Sequence, residues 1–273
     1  MSMVMSLFDK FLFPPPPSIF ITTMSVISLV SLANSGLSEL KGKHLQYSKF
    51  WNADNGKNKA AVKKESTKLS SRTGMLLLYT PAFLAGAISF WLFPNHDLRF
   101  LLVNSAVTFH FLKRVFEVLF VHKYSGGMVL DTAMVISLSY TLSAVSMIYN
   151  QHLLQGTPDP QIDLKLLGGL VFLVGIVGNF YHHCILSNLR GKSDKGYKIP
   201  TGGLFGLVIC PHYLFEILIF VGISLMSQSL YPIAFTTGTA CYLTGRSYAT
   251  RNWYLSKFPN FPKHIKALVP FVF

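Results

Sequence analysis

The stretch VICPHYLFEI, residues 208–217, places an imidazole, a phenol and a carboxylate inside an apolar run. His212 and Glu216 are four residues apart and Tyr213 and Glu216 are three apart, so on a helix these side chains are neighbours. A carboxylate beside an imidazole orients the ring and favours its charged form. A phenol beside such a pair can donate a proton to an oxyanion that develops during a reaction. We therefore predict catalytic roles for Tyr213 and Glu216, with a buried structural cluster as the alternative.

The segment HFLKRVFEVLFVHKYSGG carries several ionisable groups within an apolar run. His110, Arg114 and Glu117 lie four and then three residues apart, on one helical face, and Lys113 precedes Glu117 by four residues. Ionisable groups within a bilayer usually face an interior cavity and mark a functional site. We therefore expect Lys113 and Arg114 to serve a site, and ion pairs that only orient helices are the alternative.

A second stripe occurs in GNFYHHCILSNLRG. Asn179, His183 and Arg190 follow one another at intervals of four and seven residues, which places them on one face of a helix. A cationic stripe that opens toward water suits a phosphate-bearing ligand, because charged donors bind phosphate oxygens strongly. His182 lies off this stripe and is expected to pack against a neighbouring side chain.

The tail after residue 245 mixes basic and aromatic residues. Such interleaving can bind a nucleotide by charge and stacking, and it is equally typical of an aromatic belt at a membrane interface. The residues concerned are Arg246, Arg251, Lys257, Lys263, Tyr248, Trp253, Tyr254, Phe258 and Phe261.

Several kinds of site are not indicated. Cys184, Cys210 and Cys241 show no CxxC spacing and no His-Glu-x-x-His motif occurs, so no metal site is predicted. No Gly-x-Gly-x-x-Gly fingerprint follows a strand, which argues against a Rossmann cofactor domain. A serine nucleophile elbow is also missing from the sequence.

The elements that must position these groups are long apolar segments. The chain of 273 residues is 51% hydrophobic and only 13% charged, about half the charged fraction of a soluble domain. We predict an all-α, polytopic membrane protein with about seven transmembrane helices, the first an anchor rather than a cleaved signal. Pro211 should kink the sixth helix. The predicted spans are 17–35, 74–93, 99–121, 128–149, 164–187, 204–226 and 229–245.

The basic residues lie on one side of these spans. Nineteen Lys and Arg residues occupy every second connection and the tail, whereas the connections 94–98, 150–163 and 227–228 contain none. Because positive charge marks the cytosolic side, we expect a lumenal N-terminus and a cytosolic C-terminus. This arrangement explains the net charge of +13 without a nucleic-acid partner. We divide the chain into an anchor helix with a basic loop, 1–73, and a membrane-embedded catalytic domain, 74–273.

The segments YKIPTGGLFGLVICPHYLFEI and GRSYATRNWYLSKFPNFPKHIKALVPFVF resemble the C-terminal domain of the steroid 5α-reductase family. The clear resemblance covers about residues 175–273. It implies a seven-helix, multi-pass enzyme of the endoplasmic reticulum membrane that uses NADPH to reduce a carbon–carbon double bond. It also implies a cofactor site, with Arg114 in a matching cationic position and the other cofactor-binding positions at Asn179, Arg190, Tyr197, His212, Arg246 and Tyr254. His183 joins this set through its stripe.

The resemblance does not point to a single class of substrate. The steroid branch holds the 3-keto oxygen with a Glu in the second span and a Tyr in the third, and the matching residues here are Tyr79 and Phe111. Lys113 and Tyr213 resemble the catalytic Lys and Tyr of very-long-chain enoyl-CoA reductases. The PHYLFEI segment is also similar to polyprenol reductases. The methyltransferases that act on isoprenylcysteine share a related motif, from which ICPHY departs at its Arg.

Four hypotheses follow. The first is an NADPH-dependent reductase of a lipid enone, most simply a 3-oxo-Δ4-steroid, in which Tyr213, with Tyr79, holds the substrate oxygen. The second keeps the chemistry on a trans-2-enoyl-CoA. The third is a membrane methyltransferase that uses S-adenosylmethionine, and the fourth is a non-catalytic lipid-binding protein. The sequence leaves the oligomeric state open.

Overall fold

The computed structural model describes residues 10–45, 50, 67–93, 97–124, 126–189 and 197–273. Seven long α-helices make up most of these residues: α1 (Ile19–Leu40), α2 (Ser71–Leu92), α3 (Leu98–Phe116), α4 (Leu130–Leu153), α5 (Lys165–Asn188), α6 (Pro211–Ser227) and α7 (Leu230–Lys257). One π-helical turn, Glu117–Val121, extends α3. Two three-residue strands, β1 (Lys68–Ser70) and β2 (Gly127–Val129), pair antiparallel. The predicted all-α class is confirmed.

The chain is a polytopic membrane protein. Within the described residues, α1, α2, α4 and α5 are long and apolar enough to cross a bilayer. Their 22 to 24 residues reach about 33–36 Å at 1.5 Å per residue, enough for a hydrocarbon core of about 30 Å. The apolar helix α6 is shorter, with 17 residues. Seven spans and a cytosolic C-terminus therefore stay predictions.

Short polar side chains cap the N-termini of three of the helices. The Oγ atom of Ser18 accepts a hydrogen bond from the Ile21 amide at the start of α1. Ser70 caps α2 in the same way, and the Asp97 carboxylate accepts from the Phe100 amide at 2.6 Å at the start of α3. Each cap satisfies an amide that has no partner within its helix.

The expectation that Pro211 kinks a helix is wrong. Pro211 is the first residue of α6, and the segment before it forms a 3₁₀ turn, Gly203–Gly206, rather than the first turns of a long helix. Proline suits this position because the first amide of a helix has no helical acceptor to lose and its fixed φ matches the helix. The sixth predicted span, 204–226, therefore begins too early.

The connections between helices gather at two opposite ends of the bundle. At one end β1 and β2 join the chain before α2 to the chain before α4. At the other end the Phe13 amide donates to the Gln228 carbonyl and the Ile162 amide donates to the Lys10 carbonyl. The connections at the first end belong to the set that is rich in Lys and Arg, and those at the second end belong to the set that contains none. Which end faces the cytosol stays a prediction.

The poorly charged end contains two cations that the charge count assigned to the spans. Arg99 and Lys165 both lie there, and both contact Asp159 and Asp163 at distances of 2.8–3.1 Å. The two carboxylates offset the two positive charges. The contrast between the two ends therefore persists after these residues are included.

Glycines allow α1 and α7 to cross at close range. A Cβ atom added to Gly245 of α7 would lie 2.2 Å from the carbonyl oxygen of Gly36 in α1, so the two backbones are in direct contact. Such close approach of small residues is a common means of helix association in membranes. The first helix is thereby fixed against the last.

Candidate active site

A cavity of about 280 Å³ lies between the helices at the end of the bundle that carries β1 and β2. Ten of the twelve predicted site residues line it: Tyr79, Arg114, Asn179, His183, Tyr197, His212, Tyr213, Glu216, Arg246 and Tyr254. Lys113 lies behind its wall, and Arg190 falls outside the described residues. The structure thus brings the two predicted stripes and the tail together, and the individual roles stay predictions.

Arg114 is the centre of the polar contacts on α3. Its Nη2 donates to the hydroxyl oxygen of Tyr79 at 2.6 Å, and its Nη1 lies 2.7 Å from Glu117 and 3.1 Å from Nδ1 of His183. The guanidinium also lies over the Tyr79 ring, 4.7 Å from the ring centroid. Its Nε is buried and meets no hydrogen-bond partner in the part of the chain that the structure describes. Arg114 thus combines internal pairing with one remaining donor.

Glu117 is the fully buried carboxylate that balances this cation. It lies 3.0 Å from Nζ of Lys113 and 2.9 Å from Nδ1 of His183. Glu117, His122 and His183 bring three ligand-type atoms within 4.8 Å of one another, a spacing that could hold a metal ion. The carboxylate, however, already contacts Lys113 and Arg114, so a divalent cation there would lie close to two positive charges. The electrostatics favour an ion-pair network over a metal centre.

Asn179 connects the two stripes to α6. Its Oδ1 accepts from Lys113, and its Nδ2 donates to the backbone carbonyl of His212 at 2.7 Å and to Glu216 at 3.0 Å. Glu216 also lies 3.5 Å from Nε2 of His110. The sequence predicted His212 as the partner of Glu216, whereas the structure gives the carboxylate neighbours from α3 and α5. Side chains from three helices therefore meet at Glu216.

The tail residue Arg246 is deeply buried and already bound to a carboxylate. Its Nη1 lies 2.7 Å from Oε1 of Glu39, and its guanidinium lies 4.3 Å from the centroid of the Phe50 ring. Glu39 also accepts from Nδ1 of His44 at 2.6 Å. A role for Arg246 in phosphate binding therefore requires the cation to serve two anions or to exchange one for the other.

Aromatic side chains of α2 and α4 contribute to the cavity lining. Tyr79 and Tyr140 stack with their ring centroids 5.5 Å apart, and Phe111 lies 5.7 Å from Tyr140. Tyr124 also lines the cavity, and its hydroxyl is buried without a hydrogen-bond partner among the described residues. Burial raises the pKa of Tyr124 above its ordinary value, because it disfavours the charged phenolate.

The sequence reasoning missed Glu39, Tyr124 and Tyr140. Glu39 carried a signal, because it is the only acidic residue between Asp9 and Asp54 and it follows directly on the first apolar segment. The predicted span ended at residue 35, whereas α1 continues through Leu40. The two tyrosines carried no comparable signal, since tyrosine is common at membrane interfaces.

The side chains that line the cavity carry a net positive charge, although Glu117 and Glu39 pair with Arg114 and Arg246 from outside the lining. Among the described residues that line it, four carry a permanent positive charge, Arg114, Lys123, Lys198 and Arg246, and Glu216 is the single carboxylate. Tyr197 and Tyr254 add aromatic surface, and the Tyr254 hydroxyl donates to the Lys198 carbonyl at 3.4 Å. Cationic and aromatic groups together suit an anionic, ring-containing ligand such as a nucleotide.

A sequence profile described as 3-oxo-5-alpha-steroid 4-dehydrogenase matches residues 128–273, slightly more than half of the chain. The chain is 44% identical over 108 residues to 3-oxo-5-alpha-steroid 4-dehydrogenase 1 of Macaca fascicularis, a match that covers 40% of this chain and 41% of that protein. It is 43% identical over 109 residues to steroid 5-alpha-reductase DET2 of Gossypium hirsutum, which covers 40% and 42% of the two chains. The chain thus spans about two fifths of the length of these relatives.

A further match is longer and more distant. The chain is 32% identical over 209 residues to the probable very-long-chain enoyl-CoA reductase art-1 of Caenorhabditis elegans. This match covers 72% of the chain and 66% of that protein. Similarity thus extends to relatives described as acting on two different substrates.

Proposed function

Because the chain belongs to the 3-oxo-5-alpha-steroid 4-dehydrogenase family, we propose that it is an oxidoreductase that reduces a carbon–carbon double bond conjugated to a carbonyl. The preferred substrate is a 3-oxo-Δ4-steroid or a related lipid enone, the reductant is NADPH, and the location is the endoplasmic reticulum membrane. The observation that carries the proposal is the cavity itself, which gathers ten side chains predicted for this chemistry between apolar helices. All of its described lining residues lie within 74–273, which supports assigning the chemistry to that part of the chain.

The donor set of the cavity fits NADPH. The excess of cationic lining residues matches the negative charge of a dinucleotide, and the buried Nε of Arg114 offers a donor. We assign cofactor binding to Arg114, Asn179, His183, Tyr197, His212, Arg246 and Tyr254, together with Arg190. When bound, the cofactor supplies a hydride to the β-carbon of the enone.

The two phenols Tyr79 and Tyr213 are proposed to hold the carbonyl oxygen. As the β-carbon accepts the hydride, the electrons of the double bond move toward that oxygen, and a proton then completes the α-carbon. The Arg114 guanidinium, 2.6 Å from the Tyr79 hydroxyl, favours negative charge at this point of the cavity. Glu216 and Lys113 both contact Asn179 and are proposed to fix its amide.

Reduction of a trans-2-enoyl-CoA is the second candidate. It uses the same hydride and proton chemistry, and the longer match to the Caenorhabditis relative favours it. Lys113 and Tyr213 resemble residues of that branch. Lys113 of α3 donates to Asn179, and Tyr213 of α6 follows His212, whose carbonyl accepts from the same Asn179 side chain. The identity of the acyl or steroid substrate is what separates the two candidates.

Direct assay decides between them. The full chain, purified in nanodiscs, is supplied with NADPH and either 3-oxo-Δ4-steroids or trans-2-enoyl-CoAs, and reduced products are identified by mass spectrometry. We expect reduction of the steroid class, with the same protein assayed without NADPH as the control. Reduction of enoyl-CoAs alone selects the second candidate. Folded protein that reduces neither class, and that NADPH does not stabilise against heat, refutes the proposed reductase function.

A further inference from the structure

We propose that His182, a residue outside the cavity lining, is a positioning residue that holds one wall of the cavity in place. The wall in question, called here the wall segment, comprises residues 197–210 and leads directly into α6. Its effect on cofactor binding rests on the function proposed above, whereas the contact itself does not. The inference derives from the two hydrogen bonds of the His182 ring.

Both ring nitrogens of His182 have backbone partners. Nδ1 lies 2.6 Å from the carbonyl oxygen of Gly178, one turn earlier in α5, and Nε2 accepts the amide hydrogen of Leu204 at 3.1 Å. A carbonyl can only accept, so Nδ1 must carry the proton, and Nε2 must then be the unprotonated nitrogen. The ring is thereby fixed as a single neutral tautomer.

The ring is also held by packing. His182 is buried, and its ring stacks on Phe215 of α6 with centroids 5.1 Å apart. Gly203 passes so close that a Cβ atom there would lie 2.8 Å from Nε2 of His182, and its φ of +53° is one that glycine adopts readily. The Gly-Gly pair of the IPTGGLF motif thus lets the backbone reach the imidazole.

The wall segment supplies part of the cavity surface from both sides of this contact. Tyr197 and Lys198 precede Leu204, Ile209 follows it, and all three line the cavity. The later part is fastened to the tail, because the Ile209 amide donates to the Lys266 carbonyl and the Cys210 amide to the Ala267 carbonyl. The bond from Leu204 to His182 fastens the middle of the segment to α5. Two different elements therefore fix the segment along its length.

Two substitutions at His182, to glutamine and to phenylalanine, separate the loss of the hydrogen-bond acceptor from the loss of the ring. In His182→Gln the terminal amide can place an oxygen near the position of Nε2 and still accept from Leu204. In His182→Phe the stacked ring is kept and the acceptor is lost. Hydrogen exchange measured on full-length protein in nanodiscs, without cofactor or substrate, reports the Leu204 amide directly.

We expect exchange at Leu204 to accelerate by roughly 5–150-fold in His182→Phe, because a buried amide loses its acceptor. In His182→Gln exchange should stay near the wild-type rate. If the proposed function also holds, the KM for NADPH rises in the Phe variant more than kcat falls, and the Gln variant restores it. Wild-type exchange in the Phe variant, or equal loss of protection in both variants, overturns the positioning role whatever the activity assays give.

A second measurement is made on the wild-type protein, which keeps the acceptor. Solid-state ¹⁵N spectra of histidine-labelled wild-type protein, with His182 assigned by its absence in His182→Gln, distinguish the two neutral tautomers. We expect a protonated Nδ1 and an unprotonated Nε2. A protonated Nε2 refutes the bond to Leu204 even if the Phe variant fails to fold.

Discussion

Glu39 and Arg246 form an ion pair between the first and the last helix, with 2.7 Å between Oε1 and Nη1 and each side chain only 1% exposed. Arg246 of this pair is also among the residues that line the cavity. The pair therefore links the stability of the bundle to the charge available for a ligand.

Substitution Glu39→Gln should destabilise the protein, because it leaves a buried guanidinium without its counter-charge. Loss of one partner of a buried pair typically costs about 3–5 kcal/mol. We expect a clear fall in the thermal unfolding midpoint and, if Arg246 binds the cofactor, a larger stabilisation by NADPH than in the wild type. The exposed Asp131→Asn is the matched control. An unchanged midpoint in Glu39→Gln argues against a stabilising pair.

Tyr79 and Tyr213, the two phenols proposed to hold the substrate oxygen, should differ in their effect on turnover. Tyr213→Phe and Tyr79→Phe keep their rings, and the one that holds the substrate oxygen should lose about 10²–10³ in kcat while NADPH binding changes little. Tyr181→Phe, an exposed tyrosine of α5, serves as control. Near-normal turnover in both variants places the oxygen elsewhere.

Charge reversal at Arg190, which lies outside the described residues, tests the predicted cofactor stripe. If Arg190 makes a charge-assisted bond to a phosphate, Arg190→Glu should weaken NADPH binding by about 1.5–3 kcal/mol, or roughly 10–150-fold. The KM of the lipid substrate should stay nearly constant. Lys192→Glu controls for a general change in loop charge, and equal effects of the two variants contradict a specific contact.

The acid sensitivity of the end that carries Arg99 should depend on Asp159. A hydrogen bond from Lys165, with the charge of Arg99 nearby, holds the pKa of Asp159 below its ordinary value. A lowered pKa means that the contribution to stability is present above the unfolded-state pKa and is lost as pH falls through the folded-state value. Asp159→Asn should therefore lower the unfolding midpoint slightly at pH 7 and not at low pH. Its side chain is half exposed, so the effect should stay below about 1 kcal/mol. A difference that grows with acidity contradicts this assignment.

Glycosylation tests the topology. An acceptor site inserted within 150–163 should be modified in microsomes, and one within 188–203 should not, because only the first connection is predicted to be lumenal. The reverse pattern places the positively charged cavity mouth in the lumen and removes access for a cytosolic cofactor.

The spacing of the polar residues predicted helix faces better than it predicted contact partners. The spacing of Asn179 and His183, and of His110, Arg114 and Glu117, correctly placed side chains on shared faces, because helical geometry is fixed over a few residues. The same reasoning paired Glu216 with His212, although the carboxylate meets His110 and Asn179. Partners on other helices depend on how the bundle packs, which local spacing does not encode.

The ends of the helices could also be predicted from the sequence, but only in part. The start of α6 at Pro211 follows from a general preference of proline, yet the apolar character of residues 204–210 concealed the turn. Glu39 was hidden for the opposite reason, since a charged residue suggested that the first helix had already ended.

The contact between α1 and α7 also constrains how the protein is made. Glu39 and Arg246 are separated by 207 residues, so at about 5–20 residues per second the ribosome needs roughly 10–40 s to deliver the second after the first. Throughout that interval the first helix, with its acidic residue and its bare Gly36 surface, resides in the membrane without its docking partner. Synthesis of α7 is thus the step that supplies the partner against which the first helix packs.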